Sequence, residues 1–187
     1  MNTPSAPPRF CEQCGAVPEG WTVSRNERKS WSANLKRVIA PKSNICPEQI
    51  VSGWVTAKLS SHSPRSGDEE ILKLLRGHLE GSGWYPEEEG VIPFSLGKFS
   101  GKLLSSTLKD KPGFGNPMAG YSGGTAHVHG YIYLVETGTG RSLEISFSVF
   151  GGSCWDNSGE QNARSQATSA RAEAMAIIQG LTLAQEK

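Results

Sequence analysis

Several features are scarce or missing in this sequence, and each absence narrows the reading. No run of about 18 apolar residues occurs, so no membrane-spanning helix is expected. The opening MNTPSAPPRF has no apolar h-region, so no signal peptide is read there, and a cytoplasmic location is the expectation. Charge of one sign is not in excess. The net charge is +1 over 187 residues, so bulk electrostatics does not demand a nucleic-acid or membrane partner. Cysteine is scarce, with four residues in all, and Cys11 and Cys14 form a single C-x-x-C pair. That usage fits reduced thiols or a metal knuckle better than a disulfide framework. No internal repeat or low-complexity tract stands out.

What is present is an ordinary globular composition, 36% hydrophobic and 20% charged, enough to bury a core. Residues 1–9 read as a disordered, Pro-rich lead-in. Residues 10–58 read as a basic, cysteine-containing segment, in which Arg9, just upstream, Arg25, Arg28, Lys29, Lys36, Arg37 and Lys42 outnumber Glu12, Glu19 and Glu27. SSHSPRSGD, residues 60–68, reads as a linker, and an α+β domain is expected over 66–187. EEILKLLRGHLE, residues 69–80, has the apolar stripe of a short helix: Ile71, Leu72, Leu75 and Leu79. Ser66 with Glu69, or Asp68 alone, would cap it. VIPFSL and KLLSSTL read as weak strands, and the Gly- and Pro-rich residues 110–126 as a long loop.

The C-terminal third is patterned most strongly. HVHGYIYLVE and SLEISFSVF, joined by TGTGR, read as a β-hairpin. Leu143, Ile145, Phe147 and Val149 alternate with polar residues, so one face of the second strand is buried. On the first strand, Val128, Ile132 and Leu134 share a face, and His127, His129, Tyr131 and Tyr133 share the other. Aromatic rings at alternate positions of a sheet face can stack unpaired bases. After the loop GGSCWDNSGEQ comes a helix. Its Ala163, Ala167, Ala170, Ala174, Ile177 or Ile178, and Leu181 recur at three- and four-residue spacing on one face. Small residues there let the helix backbone approach a sheet closely. Arg164 and Arg171 lie nearer the opposite side.

CEQCG followed by CPEQ reads as a degenerate zinc ribbon. Cys11, Cys14 and Cys46 supply three thiolates, and Gln49 stands where a second C-x-x-C knuckle would need cysteine. His62, His78 and Cys154 are all open as a fourth ligand. Zinc held this way would be structural, since no general base sits beside the knuckle.

Two partial resemblances accompany this pattern. HVHGYIYLVETGTGRSLEISFSVFGG followed by NARSQATSARAEAMAIIQGL, about residues 125–183, resembles single-strand-annealing recombination proteins of the essential-recombination-function family. The helix of that family carries a Ser/Thr-Ala-x-(Lys/Arg) type pattern, here Thr168-Ser169-Ala170-Arg171. The resemblance implies a phage or mobile-element protein, oligomeric, that binds single-stranded DNA and pairs complementary strands without ATP. Arg164 and Arg171 would lie near the phosphates. The second resemblance is to ribonuclease H, through Asp110-Lys-Pro-Gly-Phe-Gly115-Asn116-Pro117 and Glu173. It implies metal-dependent phosphodiester cleavage, but with Asp110 and Glu173 alone the two-metal site would be incomplete.

The expected architecture is therefore α+β: an antiparallel sheet of three to four strands, packed by a C-terminal helix, with a small Cys-containing N-terminal segment. The expected function is single-stranded DNA binding, through Arg164, Arg171, Tyr131 and Tyr133. A ribonuclease-H-like fold and a non-catalytic protein-interaction or inhibitor protein are the alternatives.

Overall fold

The computed structural model describes residues 17–27, 29–42, 48–61, 69–70, 73, 76–77, 86–109, 123–154 and 159–181. The strands are β1 (Trp21–Asn26), β2 (Ser30–Ala40), β3 (Gln49–Ser60), β4 (Pro86–Leu96), β5 (Phe99–Lys109), β6 (Gly123–Glu136) and β7 (Ser142–Cys154). They form one sheet of order β1-β2-β3-β7-β6-β5-β4, and each neighbouring pair is antiparallel. Two meanders, β1–β3 and β4–β7, meet where β3 pairs with β7 from Val51↔Gly151 to Ser60↔Ser142. The C-terminal helix, α1 (Gly159–Gly180), packs on β7, β6 and β3.

This corrects the expected three- to four-stranded sheet: the described residues form seven strands. The basic segment read as an appendage supplies three of them. Its alternation is real but muted. Trp31, Ala33 and Leu35 are buried on β2, and Val51, Val55, Ala57 and Leu59 on β3. Between them stand Asn34, Lys36, Thr56 and Lys58, exposed on the other face. Two alanines and Gly53 weaken the apolar signal, and the basic residues led to its reading as a basic, cysteine-containing segment. Of the loop expected at 110–126, residues 123–126 belong to β6 instead, and 110–122 lie outside the described residues. In residues 69–80, Glu69, Glu70, Lys73, Arg76 and Gly77 are helical, whereas the stripe residues and Ser66 lie outside the described residues.

The core lies between α1 and one face of the sheet. Ala163, Ala167, Ala170 and Ala174 are each at most 1% exposed, so the small-residue face does contact the strands. At Gly151 the approach is closest: a Cβ there would lie 2.1 Å from the Ala163 carbonyl oxygen. Only glycine admits that distance. Two rows further, the Phe147 ring covers Gly130, where a Cβ would meet ring carbons at 2.2 Å. The sheet thus removes side chains where the helix and an aromatic ring need the room.

Polar contacts fix α1 on both flanks. Glu173 accepts from Trp21 Nε1 at 2.8 Å and from both Arg37 Nη atoms at 3.0–3.2 Å. Arg37 Nη2 also donates to the Glu19 carbonyl. Toward β5, Arg171 Nη2 donates to Ser105 Oγ at 2.9 Å. The helix ends as Leu181 N donates to the Ile178 carbonyl.

The β6–β7 turn is held by charge. Arg141 Nη2 donates to Glu136 Oε1 at 2.8 Å, and Arg141 Nε and the Thr139 hydroxyl donate to Oε2. The Arg141 hydrogen bond outweighs burial and holds the Glu136 carboxyl down at about 2. Gly138 and Gly140 take the positive φ values, 90° and 68°, that this turn requires. At the opposite margin β4 is an edge strand, and Pro86, Pro93 and Glu87 to Glu89 make it a poor template for a further strand.

Candidate nucleic-acid interface

Register assigns the second face of the sheet. One row across it runs Trp54–Ser148–His129–Ser106, and the next runs Thr56–Ser146–Tyr131–Leu104. His127, His129, Tyr131 and Tyr133 therefore do share a face, the one turned away from α1. Period-two alternation along β6 dictates this.

The two halves of that face differ. Over β5 and β6, Leu104, Tyr131 and Tyr133 form a second apolar cluster, with Val91 and Val135 packed against it. Tyr131 is 3% exposed and Tyr133 1%. The Tyr131 hydroxyl donates to Glu144 Oε2 at 2.7 Å. Stacking a base needs an open ring face, and neither tyrosine offers one. Over β2 and β3 the surface is open and hydroxylic. Asn34, Lys36, Thr56 and Lys58 are exposed there, and the Thr56 and Ser146 hydroxyls meet at 2.8 Å. Toward the edge, Ser24 and Ser32 hydroxyls meet at 2.9 Å.

An aromatic cluster lies where the halves join. His127 is buried, stacked on Phe150 with centroids 3.8 Å apart, and its Nε2 is hydrogen-bonded to Ser148 Oγ. His129 meets Trp54 edge to face at 5.9 Å and an interplanar angle of 76°. Trp54, His129 and Phe150 are half-buried, so each retains surface. Lys36 lies one row from Trp54 and Lys58 two rows on the other side. Those cations bracket the indole over roughly 20 Å of strand. A half-open indole braced by a second ring, with ammonium groups at both ends, can hold a flat π-system and anionic groups together.

The arginines are elsewhere. Arg164 is exposed on α1, and Arg171 is half-buried against Ser105. Both belong to the helix layer, so the sheet separates them from Tyr131 and Tyr133, and the four expected contacts do not converge. Glu173, the glutamate of the ribonuclease-H resemblance, has both oxygens engaged by Arg37 and Trp21. A metal ion there would have to displace a guanidinium. Asp110, Cys11, Cys14 and Cys46 lie outside the described residues, and the zinc ribbon rests on sequence alone. Among the described residues, no group of three or more His, Cys, Asp or Glu is placed to hold a metal. No described helix is long and apolar enough to cross a membrane.

Sequence reasoning overlooked Trp54 and Phe150. A signal existed at Trp54: in VSGWVTAKLS the indole falls in register with Ser52, Thr56 and Lys58, not with Val51, Val55 and Ala57. A large aromatic on the polar register of a strand is a candidate contact. Phe150 gave less, because it directly follows Val149 and reads as the end of an apolar run. Comparison with family models, with curated proteins and with solved structures returned no match.

Proposed function

We propose that this protein binds single-stranded nucleic acid on the sheet face opposite α1. Trp54, braced by His129 and with Phe150 beside it, stacks an unpaired base. Lys36 and Lys58 neutralise flanking phosphates, and the serine and threonine hydroxyls between them offer hydrogen bonds to the backbone. The carrying observation is the half-open Trp54 ring set between two exposed lysines. A duplex keeps its bases stacked inside and cannot use the indole, so the single strand is the favoured form. Single-stranded DNA, the ligand that the annealing resemblance implies, is the first to try, with strand annealing as the activity to follow. The arginines of α1 are not part of this contact.

Two lysines make a small electrostatic footprint, in keeping with the +1 net charge. The expected slope of log K against log salt is about −1.4, from roughly −0.7 per neutralised phosphate on a single strand. The test is fluorescence anisotropy of a labelled oligonucleotide, single-stranded and duplex, at several salt concentrations. Binding to the single strand with that shallow slope supports the reading. No binding to either form at low salt overturns it and turns attention to a protein partner.

A further inference from the structure

The stacking platform contains an imidazole, His129, that abuts the indole edge to face. We infer that protonation of His129 gates the proposed site, strengthening single-strand binding as pH falls from about 8 to about 5.5. The inference rests on the binding reading above, and the juxtaposition that carries it is His129 edge-on to the half-open Trp54, between two lysines.

His129 is half-buried, so its ring is in contact with the indole and within reach of solvent and ligand. An ordinary histidine changes charge between pH 5 and 8. Its neighbours set what the added charge does. On its own strand His127 lies 6.2 Å away, buried beneath Phe150 and bonded to Ser148, hence out of contact with a ligand. On β7 the facing groups are Ser148 and Phe150. Glu144, two rows away, accepts from the Tyr131 hydroxyl. From β3 comes Trp54 itself, with Lys58 two rows away, and Lys36 stands beyond on β2. On β5 Ser106 shares the row and Lys102 lies two rows off. Glu88 of β4 occupies the far end of the same row, two strands from His129. Strands are spaced about 4.8 Å apart, so that position is about 10 Å away. Lys36 and Lys58 stand apart along the strands, on either side of the Trp54 row. A phosphate laid across Trp54 would gain a third positive partner in the imidazolium, in the gap between Lys36 and Lys58.

The linkage is reciprocal. A ligand that prefers the protonated site takes up a proton on binding, and low pH tightens it. The expected change is about three- to tenfold in Kd between pH 8 and 5.5, with the salt slope steeper by about 0.7 at the lower pH. The free protein offers an independent readout, because an imidazolium against an indole alters the emission of that tryptophan.

The experiment therefore has two arms on the full chain. Tryptophan emission is titrated from pH 8 to 5.5 in the wild type, His129→Gln and Trp54→Phe. Affinity for a labelled single-stranded oligonucleotide is measured over the same range in the wild type and His129→Gln. The expected result is an emission step lost in both variants, and a wild-type affinity that rises as pH falls while His129→Gln stays flat. Binding that does not change with pH overturns the gate and leaves the binding reading standing. A pH dependence retained in His129→Gln also overturns it. Absence of binding at every pH removes the binding reading and the gate with it, even where the emission step is seen.

Discussion

On the face opposite α1, β6 carries two tyrosines that are buried and β3 carries a tryptophan that is half-open. Both strands obey the same alternation, and all three rings stand on the polar register. Tyr131 and Tyr133 sit beside Leu104 and close into a second apolar cluster, with a hydroxyl spent on Glu144. Trp54 sits beside serine, threonine and lysine and keeps surface. Alternation settles which face a side chain takes. Its neighbours across the strands settle whether that face is core or contact surface. The same sheet face therefore carries a stabilising half over β5 and β6 and an open half over β2 and β3, and substitutions should separate the two.

The largest effect should come from the helix-covered core. Phe147→Ala removes a fully buried ring that lies over Gly130. Its expected cost is about 3–5 kcal/mol, read from urea unfolding. The β6–β7 turn should be nearly as sensitive to acid. Glu136 is held at about 2, below its ordinary value of 4.5, so the folded state keeps it ionised. The stabilisation is full above about pH 4.5 and is lost as pH falls toward 2, up to about 3 kcal/mol. Urea midpoints measured from pH 5 to pH 2 should show that fall in the wild type and a flatter profile in Glu136→Gln. A smaller loss, about 1–3 kcal/mol, is expected of Glu173→Ala, which strips Trp21 and Arg37 of their acceptor. It should leave oligonucleotide affinity unchanged, because the clamp lies in the helix layer. Least costly to the fold is Trp54→Ala, at about 1 kcal/mol by thermal melting, since the indole is only partly buried and stands outside the helix-covered core.

The most strongly patterned third of the chain was legible because its signals are simple. The TGTGR turn, the alternating apolar residues of β7 and the alanine face of α1 each repeat at the period of their element. The split of β6 into a His/Tyr face and a Val/Ile/Leu face was legible for the same reason. The number of strands was not. In β1–β3 the core-face positions include Ala33, Ala57 and Gly53, whose small size thins the apolar pattern, while polar and charged residues fill most of the alternate positions. In β4 and β5, serine, glycine and proline thin the apolar pattern further. The candidate site was half legible. Attention to β6 found the right face, but which rings on it stay open depends on what stands beside them on β5 and, across β7, on β3. Those partners are 70 and more residues away for β3, and no local pattern encodes them. Arg164 and Arg171 were placed by their helix alone, which says nothing about which side of the sheet that helix covers.

The most direct measurement compares single-stranded oligonucleotide affinity among the wild type, Trp54→Ala and the Arg164→Ala/Arg171→Ala double variant, each with its melting temperature. Losing one stacked base is worth about 1–3 kcal/mol, so Trp54→Ala should weaken binding from about fivefold to more than a hundredfold with little change in melting. The double arginine variant should bind like the wild type. Full affinity in Trp54→Ala, with binding lost only when the arginines are removed, would contradict the interface on the face opposite α1 and move it to the helix.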